Sequence, residues 1–135
     1  MAESFNHPAL NLKGDKKVVF AAMSKHLAYF KEHISKFVFN QGCVPLNPFM
    51  ISHYFMIDTV DRDVIRSANN TLVKRADELW VFGKVSDGIL AEIKQAKNTG
   101  KPIRYFKIIK SQNIEEIPKK DVEFEEDANS FSHEL

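Results

Sequence analysis

Ser86, Gly88 and Glu92 fall within seven residues of one another, at the junction of an apolar run and an amphipathic one, in "ELWVFGKVSDGILAEIKQAKNTGKPIRYF" (78–106). A serine at the head of a helix caps it by accepting a hydrogen bond from a backbone N–H of the first turn. The other first-turn N–H groups lack partners inside the helix, and the helix dipole adds partial positive charge, so such an end attracts an anion such as a phosphate. Gly88 lets a ligand approach the backbone closely. Glu92 lies one turn on, between Ile89 and Ala96, where its carboxylate can project from the edge of the core into a cleft. The same glutamate also serves helix electrostatics alone, pairs with a lysine of its own helix, or faces water. Spacing does not choose among these.

The elements that must hold these residues follow from periodicity. "KVVFAAM" (17–23) is a short continuous apolar run, the pattern of a strand buried on both faces. From "SKHLAYFKEHISKFVFNQG" the period becomes helical, with Leu27, Phe30, Ile34, Phe37 and Val38 on one stripe and Gly42 at its stop. "CVPLNPF" reads as a second short strand ending in prolines, and "MISHYFMIDTV" as a loop or a broken helix. Asp61 caps a helix whose packed face is Val64, Ile65, Ala68, Leu72 and Ala76. "ELWVFG" is a third strand, "DGILAEIKQAKNTG" a helix stopping at Gly100, and "PIRYFKII" a fourth strand. In the polar remainder, "DVEF" offers one further strand before the acidic "EFEEDANSFSHEL".

Strand and helix alternate, so the expected fold is α/β: a flavodoxin- or Rossmann-like three-layer sandwich around a central parallel sheet of four to five strands. Residues 1–16 form an irregular arm, 17–110 the α/β domain, and 111–135 an acidic tail. In such sheets ligands bind beyond the carboxyl ends of the strands. Three turns matter most: "AMSKH", with Ser24 and Lys25; "LNPFM", with Asn47; and "GKVSDG", with Ser86 and Gly88.

Composition sets outer limits. The chain has 135 residues and is 44% hydrophobic, enough for one domain with one core. Nineteen basic residues balance eighteen acidic ones, which argues against nucleic acid as a partner. The single cysteine, Cys43, excludes an internal disulfide and suits a reducing compartment. No apolar segment has signal-peptide or membrane-spanning length, and the expectation is a cytoplasmic protein without membrane contact. His26, His33 and His53 lack metal-ligand spacing, and no cofactor is expected. Trp80 and Cys43 read as core. Asp63, Arg62 and Arg66 read as a solvated, paired face or as a contact to substrate from the helix start. Tyr54 and Phe55 could stack on a nucleobase or pack against protein.

The segment "ADELWVFGKVSDGILAEIKQAKNTGKPI" resembles the signature of the nucleoside 2-deoxyribosyltransferase-like superfamily. That pattern runs from an Ala-Asp pair (Ala76-Asp77) through an apolar strand, a turn, a glycine (Gly88), three residues and a glutamate (Glu92). A helix and "GKP" (Gly100-Lys101-Pro102) follow. The wording is especially like a small bacterial and phage branch, and the close match covers about a fifth of the chain.

The resemblance implies cleavage of an N-glycosidic bond, or deoxyribosyl transfer, on a nucleoside or nucleoside 5'-monophosphate, with Glu92 as nucleophile. Six residues before that glutamate, transferases carry an aspartate and monophosphate N-glycosidases a phosphate-binding serine. Ser86 therefore tilts the expectation toward a monophosphate, with Ser24 and Lys25 as further phosphate contacts. The resemblance also implies a homodimer or larger assembly. Three departures stand out. Val19 occupies the place of a tyrosine near the sugar. "AAMSKH" replaces a glycine-rich turn. Asn69 replaces a sugar-binding aspartate, and an amide bonds a hydroxyl but cannot act as a base. The departures open the alternative of a non-catalytic module that binds a nucleotide or nucleotide signal in the same cleft. A phosphoreceiver is set aside, because Met23-Ser24 and Gly83 stand where its acidic residues belong.

Overall fold

A computed structural model describes residues 3–52 and 54–135. His53, and the side chains of Tyr54 and Phe55, lie outside the described residues. Five strands form one sheet in the order β2-β1-β3-β4-β5: β1 (Val18–Met23), β2 (Val44–Leu46), β3 (Glu78–Phe82), β4 (Ile103–Ile109) and β5 (Asn113–Ile117). The first four run parallel; β5 returns antiparallel on β4, with Tyr105 opposite Ile117. The helices are α1 (Lys31–Asn40), α2 (Pro48–Ile51), α3 (Tyr54–Thr59), α4 (Arg62–Arg75) and α5 (Asp87–Asn98). Among the described residues no helix is long and apolar enough to cross a membrane.

Both faces of the sheet are covered, which is why β1 and β3 are apolar at almost every position. Val19, Ala21 and Met23 of β1, with Trp80 and Phe82 of β3, point to the α1 side and pack with Ile34 and Val38. Phe20, Ala22, Leu79 and Val81 point to the other side, against Val73 of α4 and Ile89, Ile93 and Ala96 of α5. Only Glu78 breaks this pattern. Its carboxylate accepts from Trp80 Nε1 (3.0 Å) and Lys17 Nζ (2.9 Å), and these bonds hold it below the usual carboxylate range.

Two local expectations are corrected. The buried stripe of α4 is Ile65, Asn69, Leu72, Val73 and Ala76, while Val64 and Ala68 face outward. Offsets of four, seven, eight and eleven residues from Ile65 keep those positions on one side of a 3.6-residue helix. The segment after β2, expected as a loop or a broken helix, takes the second form, as two short helices, α2 and α3. The fifth strand is Asn113–Ile117 rather than "DVEF", where Phe124 makes a single parallel bridge to Val85.

The C-terminal segment is folded onto the domain. Val122, Phe124 and Leu135 pack against the α4–α5 side of the core, and Ala128 is fully buried. Glu134 pairs with Lys94 of α5.

Candidate functional site

Strand order explains where a cleft must open. From β1 the chain crosses to β2 on one side, whereas β3 pairs with β1 on the other. The loops leaving β1 and β3 therefore diverge, and a crevice forms beyond their carboxyl ends. In register, Met23 pairs with Phe82, so the "SKH" turn and the "GKVSDG" turn emerge side by side.

A cleft of about 630 Å³ lies there. Ser24, Lys25, Asn69, Ser86, Gly88 and Glu92 all line it. These six come from four places: the turn after β1, the inner face of α4, the turn after β3 and the first two turns of α5.

Each position has a local cause. Ser24 is buried and caps the 3-10 turn Lys25–Phe30, its hydroxyl oxygen accepting from His26 N at 3.2 Å. Ser86 caps α5, accepting from Ile89 N at 3.3 Å. Asp87 turns its carboxylate back on Gly88 N (2.6 Å). Two first-turn donors of α5 are therefore engaged within the protein, and a carboxylate sits where an anion would approach. Gly83 ends β3 at φ +79°, and a Cβ there would lie 2.6 Å from Leu27 Cδ1. This glycine lets the third turn leave the strand sharply.

Glu92 is half-buried in the cleft wall and, among the described residues, has neither a hydrogen-bond nor an ion-pair partner. Burial disfavours the charged form and pushes its carboxyl from 4.5 up to about 8. Burial therefore favours the protonated carboxyl at neutral pH. Asn69, also half-buried, lines the cleft, and its amide makes no hydrogen bond among the described residues.

Asn47 stands apart. It is 2% exposed and does not line the cleft. Its Oδ1 accepts from Phe49 N (3.0 Å), and its Nδ2 donates to Lys31 O (3.2 Å) and Ser35 Oγ (3.1 Å). It caps α2 and ties that helix to α1, so its side chain is occupied by the fold. Val19, in place of the tyrosine that the resemblance expects, is fully buried in the core.

Several cleft residues were not singled out by sequence. Glu125 and Asp127 reach the wall from the C-terminal segment and Asp87 and Gln95 from α5; Arg66 of α4, read from the sequence as a paired face or a substrate contact, lines it too. Arg66 is paired with Asp63 at 3.1 Å, as its spacing suggests. Nothing in the spacing of Glu125 announces a site, because its place depends on the pairing of residues 123–125 with Val85.

The fold is that of a known enzyme class. A 2-desoxiribosyltransferase from Leishmania mexicana superposes with a TM-score of 0.53 at 15% identity, covering 87% of this chain and 97% of that one. At that identity the likeness concerns the fold. No curated protein matches the sequence. The family model described as "Domain of unknown function (DUF7768)" matches residues 19–106, from β1 into β4 and so across every element that builds the cleft except the C-terminal segment; the chain belongs to that family.

Proposed function

We propose that the protein cleaves or transfers the N-glycosidic bond of a nucleoside or nucleoside 5'-monophosphate, with Glu92 as the nucleophile. The observation that carries this reading is Glu92 itself: a carboxyl with no partner among the described residues, on the wall of the strand-end cleft, in a fold shared with a deoxyribosyltransferase. In the first step the Glu92 carboxylate bonds to the anomeric carbon, the C–N bond breaks and the base departs with the bond's electron pair, taking a proton from solvent water. In the second, water or another base takes the sugar and frees the carboxylate. The open amide of Asn69 suits a sugar hydroxyl.

The charge of the lining favours the uncharged nucleoside over the monophosphate. Lys25 and Arg66 face Asp87, Glu125 and Asp127. The Ser86 and Ser24 hydroxyls can still donate to a phosphate, so both substrates belong in the test. Exposed Met50, Ile51, Met56 and Ile57 beside the cleft fit a homodimer that covers its mouth, and the single cysteine fits a cytoplasmic setting. A concentration-independent monomer mass in light scattering would remove the dimer.

A specific observation favours the second reading, a binding module without catalysis: Val19 and Asn69 leave the cleft without the tyrosine and the aspartate of the resembling enzymes. One experiment separates the two. The protein and Glu92→Gln are incubated with a panel of nucleosides and 5'-monophosphates, and free base is measured. The enzyme reading expects release that falls about a thousandfold or more in the variant. Undiminished release in Glu92→Gln would sink the catalytic assignment. Binding without release from either protein would leave the module.

A further inference from the structure

The C-terminal segment delivers a carboxylate to the cleft that the fold itself does not use. Glu125 Oε2 is buried and, among the described residues, accepts no hydrogen bond. Its other oxygen lies 3.5 Å from Nε2 of His26, whose side chain is 70% exposed, a contact too long to count as a good hydrogen bond. A buried acceptor without a donor is costly, and native proteins rarely keep one without a use.

The group is held firmly. Val85 N donates to Glu123 O and Glu125 N to Val85 O, both at 2.9 Å, so the segment is pinned beside Val85 by a parallel bridge just past β3. Phe124, between the two glutamates, packs into the core. This alternation aims Glu123 and Glu125 away from the core. Glu125 lines both the 630 Å³ cleft and an adjoining cavity of about 1100 Å³, so it forms part of the wall that they share. The side chain keeps 18% of its area open. The last bond of the side chain is a soft torsion, and turning it lets either oxygen of the carboxylate meet a donor that enters at this wall.

We propose that Glu125 is a specificity residue: its carboxylate accepts a hydrogen bond from a donor on the bound nucleoside, a sugar hydroxyl or an amino N–H of the base. The inference rests on the nucleoside reading of the cleft. A ligand that supplies the missing donor satisfies the orphaned oxygen, whereas an analogue without that donor leaves it unpaired. A carboxylate can only accept, so the device selects for donors.

The test is calorimetry on the full chain in a Glu92→Gln background, so that turnover does not consume the probe. The probes are adenosine, its 2'-, 3'- and 5'-deoxy forms, and purine riboside, which lacks the amino group. Adding Glu125→Ala should weaken adenosine binding about tenfold or more. The loss should vanish for the analogue that lacks the recognised donor, which also tells sugar from base. Melting temperature should hold or rise, since an unpaired acceptor is removed, whereas a purely structural residue would lower it. Glu125→Gln, of equal size, should show a smaller loss with the same analogue dependence, and it carries the test if the alanine variant folds poorly. Unchanged binding in both variants, or an equal loss on every probe, overturns the proposal and leaves the nucleoside reading standing. Failure of every probe to bind the parent overturns the proposal and, with it, the purine-nucleoside form of the reading beneath it.

Discussion

Replacing Glu92 by glutamine should make the protein more stable, and by an amount that depends on pH. The carboxyl titrates at 4.5 when unperturbed and at about 8 in the folded protein, because burial penalises the anion. Between those values the folded state holds a proton that the unfolded state has lost. The unfolded state therefore binds fewer protons, and stability falls as pH rises. The contribution of the neutral carboxyl is complete below 4.5, declines through about 8, and is flat above it. At 1.36 kcal/mol per pH unit, the ceiling is on the order of 4–5 kcal/mol. Glu92 keeps a partial opening to the cleft, so water relieves some of the penalty, and ~1–3 kcal/mol is the expected gain. Glutamine has the same shape and no charge to lose. The gap between variant and wild type should be near zero at low pH, grow through neutrality and level off above about pH 8. Urea unfolding of both proteins at about pH 5, 7 and 9 measures it, with other titrating groups cancelling in the difference. A gap that is constant across this range, or that widens on acidification, would refute the buried-carboxyl account. The same proton governs chemistry: a nucleophilic Glu92 must lose it, so base release should climb over the same interval and be absent in the variant.

Three further outcomes are expected. Ser86→Ala removes the cap of α5 and should cost about 1 kcal/mol in urea unfolding, with binding of a 5'-monophosphate weakened more than that of its nucleoside. Gly83→Ala combines a φ of +79° with a Cβ 2.6 Å from Leu27 Cδ1, and should destabilise by about 1–3 kcal/mol, read as a lower melting temperature. Asn47→Ala breaks three hydrogen bonds at a buried site and should lower stability by about 2–3 kcal/mol; calorimetry on the folded fraction should find nucleoside affinity unchanged, since Asn47 does not line the cleft.

The order of elements and the parallel core were legible in the sequence because both are written in local periodicity. "KVVFAAM" and "ELWVF" are apolar at successive positions only because sheet faces are covered twice, and the stripes of α1 and α5 repeat every three to four residues. The line from Ser86 through Gly88 to Glu92 was legible for the same reason, since a cap, a turn glycine and one helical turn lie within a few residues. Tertiary structure decided the rest. Asn47 looked like a cleft residue because it ends a strand, but its amide is consumed by Lys31 and Ser35, which are 12–16 residues away in sequence. The inner face of α4 turned out to include Asn69 and Val73 rather than Val64 and Ala68, because packing against the sheet, not hydrophobicity alone, fixes how a helix rotates. The β4–β5 hairpin escaped notice because Lys110 and Ser111 adopt φ of 54° without glycine or asparagine to announce the turn. Glu125 was the least legible of all. An acidic tail carries no period, and only long-range backbone bonds to Val85, closed once the β3 turn exists, bring its carboxylate to the cleft that holds Glu92.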